Sequence, residues 1–185
     1  MPIQLIGSTG ARSMKRVGTA VTNTTDVTTL PDSTGTPCVL SNGVDTLVEG
    51  DAFRFQAVVS APSVAAADTC TLNVHVKDSD TPLVSDTEVG TTGAVAPVLD
   101  DFVLITVDVV VRTVSPARGS SGEFYISGSI VGTWGGAVAI HFAGRKATLL
   151  DTTVGIQTFI TAEWSAASAS NQVQLENFSG AKINV

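Results

Sequence analysis

The sequence predicts an all-β protein, a single antiparallel β-sandwich of the jelly-roll type with an extended N-terminal arm. Val, Thr and Gly are abundant, whereas Lys and Glu are scarce. Apolar and polar residues alternate in one segment after another, without a helical stripe. Turn residues recur roughly every 8 to 15 residues, which predicts about eight to ten strands. At 185 residues, one domain can bury a sizeable core without disulfides.

Residues 1–25 are predicted to form the arm, and residues 26–185 the sandwich domain. The arm is rich in Gly, Ser and Thr, a composition typical of chain ends that are not part of the core. It carries a charge of +3 and no acidic residue, whereas the rest of the chain carries −10. Alternation at residues 17–21 leaves an edge strand open as an alternative.

Two strands are predicted in the first half of the sandwich, at residues 53–59 and 69–77. Each alternates with a period of two, which is typical of a strand with one buried face. The expected inward residues are Phe53, Phe55, Ala57, Val59, Cys70, Leu72 and Val74, and the expected outward residues are Asn73, His75 and Lys77.

The middle of the chain combines a loop-like segment with three predicted strands. Residues 78–101 are acidic and rich in Thr, Gly and Pro, which indicates loops. Residues 102–113 form a nearly continuous apolar run, and their β-branched residues favour a central strand over a helix. Segments 124–130 and 138–142 alternate and flank a Gly135-Gly136 turn.

The last two strands are predicted at residues 156–164 and 171–178. A short run of small residues joins them, so we expect an antiparallel hairpin that closes the sandwich. Trp164 lies on the inward side of the first strand and is expected in the core. Trp134 precedes a glycine turn and is the aromatic residue that we expect to be exposed for contact.

No catalytic signature is present, so we expect no enzyme activity and no cofactor. The sequence lacks a Gly-x-Ser-x-Gly elbow, a phosphate-binding loop and a His-Glu-x-x-His motif. His75 and His141 fall on outward positions far apart, which favours surface histidines over a shared metal site. The carboxylates at 78–88 match no EF-hand loop, and solvated loop charge is favoured over a calcium site or a glycosidase pair.

Charge, chain-end sequence and cysteine content restrict which binding partners and which cellular compartment we expect for this protein. A net charge of −7 argues against nucleic acid. The N-terminus has no signal-peptide pattern, and no run approaches the roughly 20 apolar residues of a membrane span, so we expect synthesis in a cytoplasm and no membrane partner. Cys38 and Cys70 form no disulfide framework, and two free thiols are favoured over one bridge.

A set of short motifs covers most of residues 20–180. The motifs are Asn23-Thr24-Thr25, residues 47–51 leading into Phe53-Arg54-Phe55, Val109-Val110-Val111-Arg112-Thr113, Asp151-Thr152-Thr153, Thr161-Ala162-Glu163-Trp164-Ser165 and Val173-Gln174-Leu175-Glu176-Asn177. The pattern that they form resembles the jelly-roll-like capsid decoration (cement) proteins of tailed bacteriophages.

The resemblance implies a non-enzymatic virion protein on the capsid surface, made in the host cytoplasm. Such a protein binds as a homotrimer over junctions of the major capsid protein. The alternative is a tail-fibre or receptor-binding module that contacts carbohydrate through Trp134, and a free carbohydrate-binding module or hydrolase ranks last. In the decoration role, the arm residues expected to contact the capsid or a neighbouring subunit are Ile3, Leu5, Ile6, Arg12, Lys15 and Arg16.

Overall fold

The computed structural model describes a β-sandwich and confirms the predicted all-β class. Its described residues are 3–5, 12–13, 18–41, 47–65, 67–78, 88–117, 119–120, 122–146 and 150–183. Within these ranges the chain forms thirteen strands and no helix. The strands are β1 (Ile3–Leu5), β2 (Arg12–Ser13), β3 (Val21–Thr22), β4 (Thr28–Thr29), β5 (Val39–Ser41), β6 (Ala52–Ser63), β7 (Cys70–Asp78), β8 (Glu88–Thr91), β9 (Asp101–Thr113), β10 (Glu123–Gly132), β11 (Val138–Lys146), β12 (Ile156–Trp164) and β13 (Gln172–Ile183).

The strands form a six-stranded and a seven-stranded sheet. The six-stranded sheet has the order β1-β5-β12-β7-β8, with β4 also paired to β12. The seven-stranded sheet has the order β11-β10-β9-β6-β13-β2, with β3 also paired to β13. All pairs are antiparallel except β1 with β5. Each sheet therefore has its longest strands at the centre.

The core lies between the inward faces of the two sheets. Strand β9 illustrates its origin, because Val103, Ile105 and Val107 are buried while the residues between them are more exposed. The interior is dense, and the region around Phe55 and Phe178 has no room for a water molecule. Large core side chains are Phe55, Phe124, Trp134, Trp164 and Phe178. The predicted burial of Phe53, Phe55, Cys70 and Trp164 is confirmed.

The prediction of a closing hairpin is wrong. Strand β12 pairs with β7 in the six-stranded sheet, whereas β13 pairs with β6 in the seven-stranded sheet. The connection between them crosses from one sheet to the other. Asn171 anchors this crossing, because its side chain donates to Asp68 Oδ2 and accepts the N–H of Ala65. Alternation shows which residues face inward, but it does not show which sheet a strand joins.

Strand β12 is buried on both faces, which explains why its alternation is interrupted. Phe159 points away from the sandwich core and is nevertheless fully buried. Its ring stacks on His75 with centroids 4.7 Å apart. Lys77, which we expected to be outward, is only 1% exposed. This burial lowers the pKa of its ammonium group, and the charge of Asp78 opposes the shift. The outer face of this sheet is therefore covered at its centre.

Candidate interaction surface

A tight turn at residues 98–101 leads into β9 and is held by a buried carboxylate. Asp101 is 5% exposed. Its Oδ2 atom accepts the N–H groups of Val98 and Gly135, both at 2.8 Å. The N–H of Asp101 donates back to the Val98 carbonyl at 3.0 Å. Asp100 has a φ of 66°, a left-handed conformation that Asp tolerates better than most residues. The turn is therefore ordered by its own hydrogen bonds.

The corner between β10 and β11 stabilises this turn through hydrogen bonds. Phe102 N–H donates to Thr133 Oγ1 at 3.2 Å, and Thr133 N–H donates to the Phe102 carbonyl at 2.9 Å. The prediction that Trp134 is exposed is wrong, because the side chain is fully buried. Its indole Nε1 donates to the Cys70 carbonyl at 3.5 Å. Gly135 and the next glycine, with φ of 64° and 115°, let the chain reverse there while the indole stays inside.

Five apolar side chains at this end of the seven-stranded sheet are exposed to solvent. Phe102 and Leu104 occupy outward positions of β9, and Val131 of β10 lies directly opposite Leu104. Exposed apolar side chains that cluster on one surface often mark an interaction site. We call this surface the apolar ridge. Its residues and exposed fractions are Val98 61%, Leu99 64%, Phe102 50%, Leu104 42% and Val131 42%.

Beyond the apolar ridge, the outer face of this sheet also carries polar and charged side chains. Arg54 and Asp108 lie opposite each other on β6 and β9 and form a two-point ion pair with N–O distances of 2.7 and 2.8 Å. The hydrogen bonds to Asp108 and its charge raise the pKa of the Arg54 guanidinium. Beside this pair lies a shallow groove of about 230 Å³. It is lined by Arg54, Gln56, Ser179, Gly180, Ala181 and Ile183.

The predicted arm residues are only partly within the described structure. Ile3 and Leu5 belong to β1, which pairs with β5, and Arg12 belongs to β2, opposite Gly180 of β13. These short strands join the six-stranded and the seven-stranded sheet, respectively. Contact with a capsid or a neighbouring subunit stays a prediction. The remaining predicted contacts, Ile6, Lys15 and Arg16, lie outside the described residues.

The two histidines do not meet. His141 is exposed on the outer face of β11, whereas His75 lies on β7 in the other sheet. Among the described residues, no group of three or more His, Cys, Asp or Glu side chains could hold a metal ion. Residues 79–87, which carry two of the four carboxylates considered for calcium at 78–88, lie outside the described residues. No helix in the described part of the chain is long and apolar enough to cross a membrane.

Both cysteines are free thiols, as predicted, and both are buried in the core. Burial raises the pKa of Cys38 to about 12, with the charge of Asp32 adding to the shift. Burial also raises the pKa of Cys70 to about 12. Because the thiolate is the reactive form of cysteine, neither side chain acts as a nucleophile at neutral pH.

Comparison with known proteins yields only weak similarities. No protein-family model and no curated protein matches the chain. A legume lectin-like domain from Entamoeba histolytica has 6% identity and a TM-score of 0.34, covering 94% of this chain and 90% of that one. Lectin I-B4 from Griffonia simplicifolia has 11% identity and a TM-score of 0.32, covering 94% and 93%.

A third similar structure is the CBM2 module of the evolved Dit of Lactobacillus casei BL23 phage J-1. It has 10% identity and a TM-score of 0.31, covering 96% of this chain and 91% of that one. At these values, none of the three similarities assigns a function to the apolar ridge.

The sequence contains a signal for the apolar ridge in the outward positions of the run at 102–113. The run at 102–113 predicted a central strand with Asp108 and Arg112 on its outward face. The outward positions change along the run, from Phe102 and Leu104 at its start to Thr106 and Asp108 further on. This change in polarity along one face separates an exposed patch from a strand buried on both faces.

Proposed function

We propose that this chain is a non-enzymatic structural protein that decorates the capsid of a tailed bacteriophage. The observation that carries the proposal is the apolar ridge, which an ordered turn holds in solvent. Its partner in this role is an apolar patch at junctions of the major capsid protein, on the surface of the virion. The sequence resemblance implies that the partner is a capsid, and the apolar ridge is a surface suited to docking on it.

The rigidity of the apolar ridge favours docking. Val98 and Leu99 lie in the turn held by Asp101, so little conformational entropy is lost when a partner covers them. Burying a Leu or Phe side chain contributes about 1.5 to 3 kcal/mol. A protein that binds only the assembled shell stabilises that shell by mass action. Because many copies bind, small contributions from each copy add over the capsid.

The experiment is co-sedimentation with undecorated phage heads, comparing Leu99→Glu with Glu49→Leu. Glu49 and Leu99 are the second residues of two similar turns, at 48–51 and 98–101. Only Leu99 belongs to the apolar ridge. We expect Leu99→Glu to weaken binding about 10- to 100-fold, because a buried Leu is lost and a charge must be desolvated. Glu49→Leu should bind like the parent protein.

Two results would contradict the proposal. If the parent protein does not sediment with heads, the decoration role is wrong. If it does, and Leu99→Glu binds equally well, the apolar ridge is not the contact. Deleting residues 1–16 tests the arm separately, since undiminished binding would remove the arm from the interface. The mass of the free protein tests the homotrimer that the resemblance implies.

The second candidate function is a carbohydrate-contacting tail or receptor-binding module. It is favoured by the groove of about 230 Å³, in which Gln56, Ser179 and the part of Arg54 not engaged by Asp108 can hydrogen-bond hydroxyl groups. Trp134 is buried and does not contribute to it. A glycan array with the parent protein and Gln56→Ala tests this function. Binding that Gln56→Ala abolishes, without head binding, would favour it over decoration.

A further inference from the structure

The four outer edges of the two sheets differ greatly in length. The six-stranded sheet ends in β1 and β8, with three and four residues, and the seven-stranded sheet ends in β2, with two residues, and in β11, with nine. Short edge strands are one way in which native proteins prevent strands of other chains from adding to a sheet. Within the described part of the chain, β11 is the long edge that lacks this protection.

Strand β11 is regular and ordered. It pairs with β10 through nine consecutive positions without a bulge. The ring of Phe142 packs where Gly90 and Gly128 have no side chain, since a Cβ atom on either would lie 2.5 or 2.4 Å from that ring. A bulge, a strong twist or a proline in an edge strand hinders pairing with another strand. Strand β11 has no proline.

The inward side chains of β11 are incompletely covered. Val138, Ile140 and Phe142 pack against the core but remain only partly buried. A further strand beside β11 would cover their exposed flanks. On the outward side, Ala139 and His141 are exposed, and residues 133–146 contain no acidic residue. In a chain of net charge −7, this is a segment where a second copy can approach without repulsion between carboxylates.

We propose that β11 is a homodimer edge, at which the β11 strands of two copies pair antiparallel into one continuous sheet. The two basic residues of the strand other than histidine, Arg145 and Lys146, are its last two residues. In an antiparallel pair centred on His141, the two Arg145 residues are roughly 27 Å apart, beyond the Debye length of about 8 Å at physiological salt. A parallel pair would place these charges side by side.

Antiparallel pairing also matches the two faces of the sheet. Directly opposite residues in paired strands point to the same side, so the inward side chains of both copies would share one face. Both apolar ridges would then lie on one side of the continuous sheet, and both could engage one flat partner. The proposed dimer does not depend on the proposed function. Its oligomeric state differs from the homotrimer that the sequence resemblance implies.

Disulfide trapping tests the dimer edge in the full chain. Ala139→Cys, His141→Cys and Ala143→Cys sample the centre of the strand on its outward side. Ser129→Cys is the matched control, because Ser129 lies directly beside His141 on β10. In the proposed dimer the two control positions are roughly 14 Å apart, too far for a disulfide. The native cysteines are buried and do not compete.

We expect at least one of the three variants to form a cross-linked dimer at least about tenfold faster than Ser129→Cys, since pairing raises the effective thiol concentration. Ile140→Lys, which points a charge into the edge, should abolish the dimer mass in sedimentation velocity. The proposal is overturned if no variant cross-links faster than the control, or if the free protein is a monomer or trimer. Failure of head binding alone would contradict only the proposed function.

Discussion

The turns at residues 48–51 and 98–101 have the same backbone design but present different side chains to solvent. In each, an Asp side chain accepts the N–H of a Val three residues earlier, at 3.0 Å for Asp51 and 2.8 Å for Asp101. Each Asp N–H donates back to that Val carbonyl at 3.0 Å. The third residue is left-handed in both, with φ of 89° at Gly50 and 66° at Asp100.

The difference lies at the second position of each turn. Glu49 occupies it in the first turn and Leu99 in the second, where the side chain is 64% exposed. The turn geometry accepts a charged residue there, so it does not require the exposed leucine. The contacts that each Asp makes outside its own turn also differ, because Asp51 forms an ion pair with Lys182 whereas Asp101 accepts the N–H of Gly135. The second turn is thus tied to the corner beside the apolar ridge.

The largest expected effect comes from removing the support under the second turn. Trp134→Ala should lower the free energy of unfolding by about 3 to 5 kcal/mol, because it empties a fully buried site beneath the 133–136 corner. Tyr125→Ala, on strand β10 before this corner, removes a side chain that is 41% exposed and should cost less than about 1 kcal/mol. Urea unfolding measures both. Equal losses would contradict the burial of Trp134.

Removing the buried carboxylates should have the next largest effect. Asp101→Ala and Asp51→Ala should each cost about 1 to 3 kcal/mol, because each leaves buried partners unsatisfied. Only Asp101→Ala should also weaken docking of the apolar ridge, which head co-sedimentation measures. If Asp51→Ala weakened docking equally, the effect would reflect general stability and not the position of the ridge.

Substitutions at the two left-handed positions should differ in their effect on stability. Gly50→Ala should cost about 1 to 2 kcal/mol, because a Cβ atom is strained at this φ. Asp100→Gly should change stability by less than about 1 kcal/mol, since relief of strain and the greater entropy of the unfolded chain offset each other. Thermal unfolding of both variants measures the contrast. A loss at Asp100 as large as that at Gly50 would show that the two turns differ in backbone design.

The smallest effect on stability is expected at the second positions themselves. Leu99→Glu and Glu49→Leu should each change the free energy of unfolding by about 0.5 kcal/mol or less, because both side chains are exposed. Their melting temperatures should therefore stay close to that of the parent protein. A large loss of stability in Leu99→Glu would mean that Leu99 supports the fold, and its effect on docking could not then be assigned to the apolar ridge.

Local patterns in the sequence determined the strands and most of the inward residues. The alternation around Phe53, Phe55 and Cys70 predicted burial correctly, and the inward position of Trp164 placed it in the core. These predictions succeed because successive side chains of a strand must point to opposite faces, which is a property of the backbone itself. The same reasoning predicted the all-β class.

The pairing of strands and the covering of faces were decided only by the tertiary structure. Strands β12 and β13 lie in different sheets, Lys77 is buried on a covered outer face, and Trp134 turns inward at a glycine corner. Each outcome depends on which distant segments pack together, which no local period encodes. The apolar ridge follows the same rule. The sequence shows that Leu99 and Phe102 are apolar, but only the packing of the sheets shows that nothing in the described chain covers them.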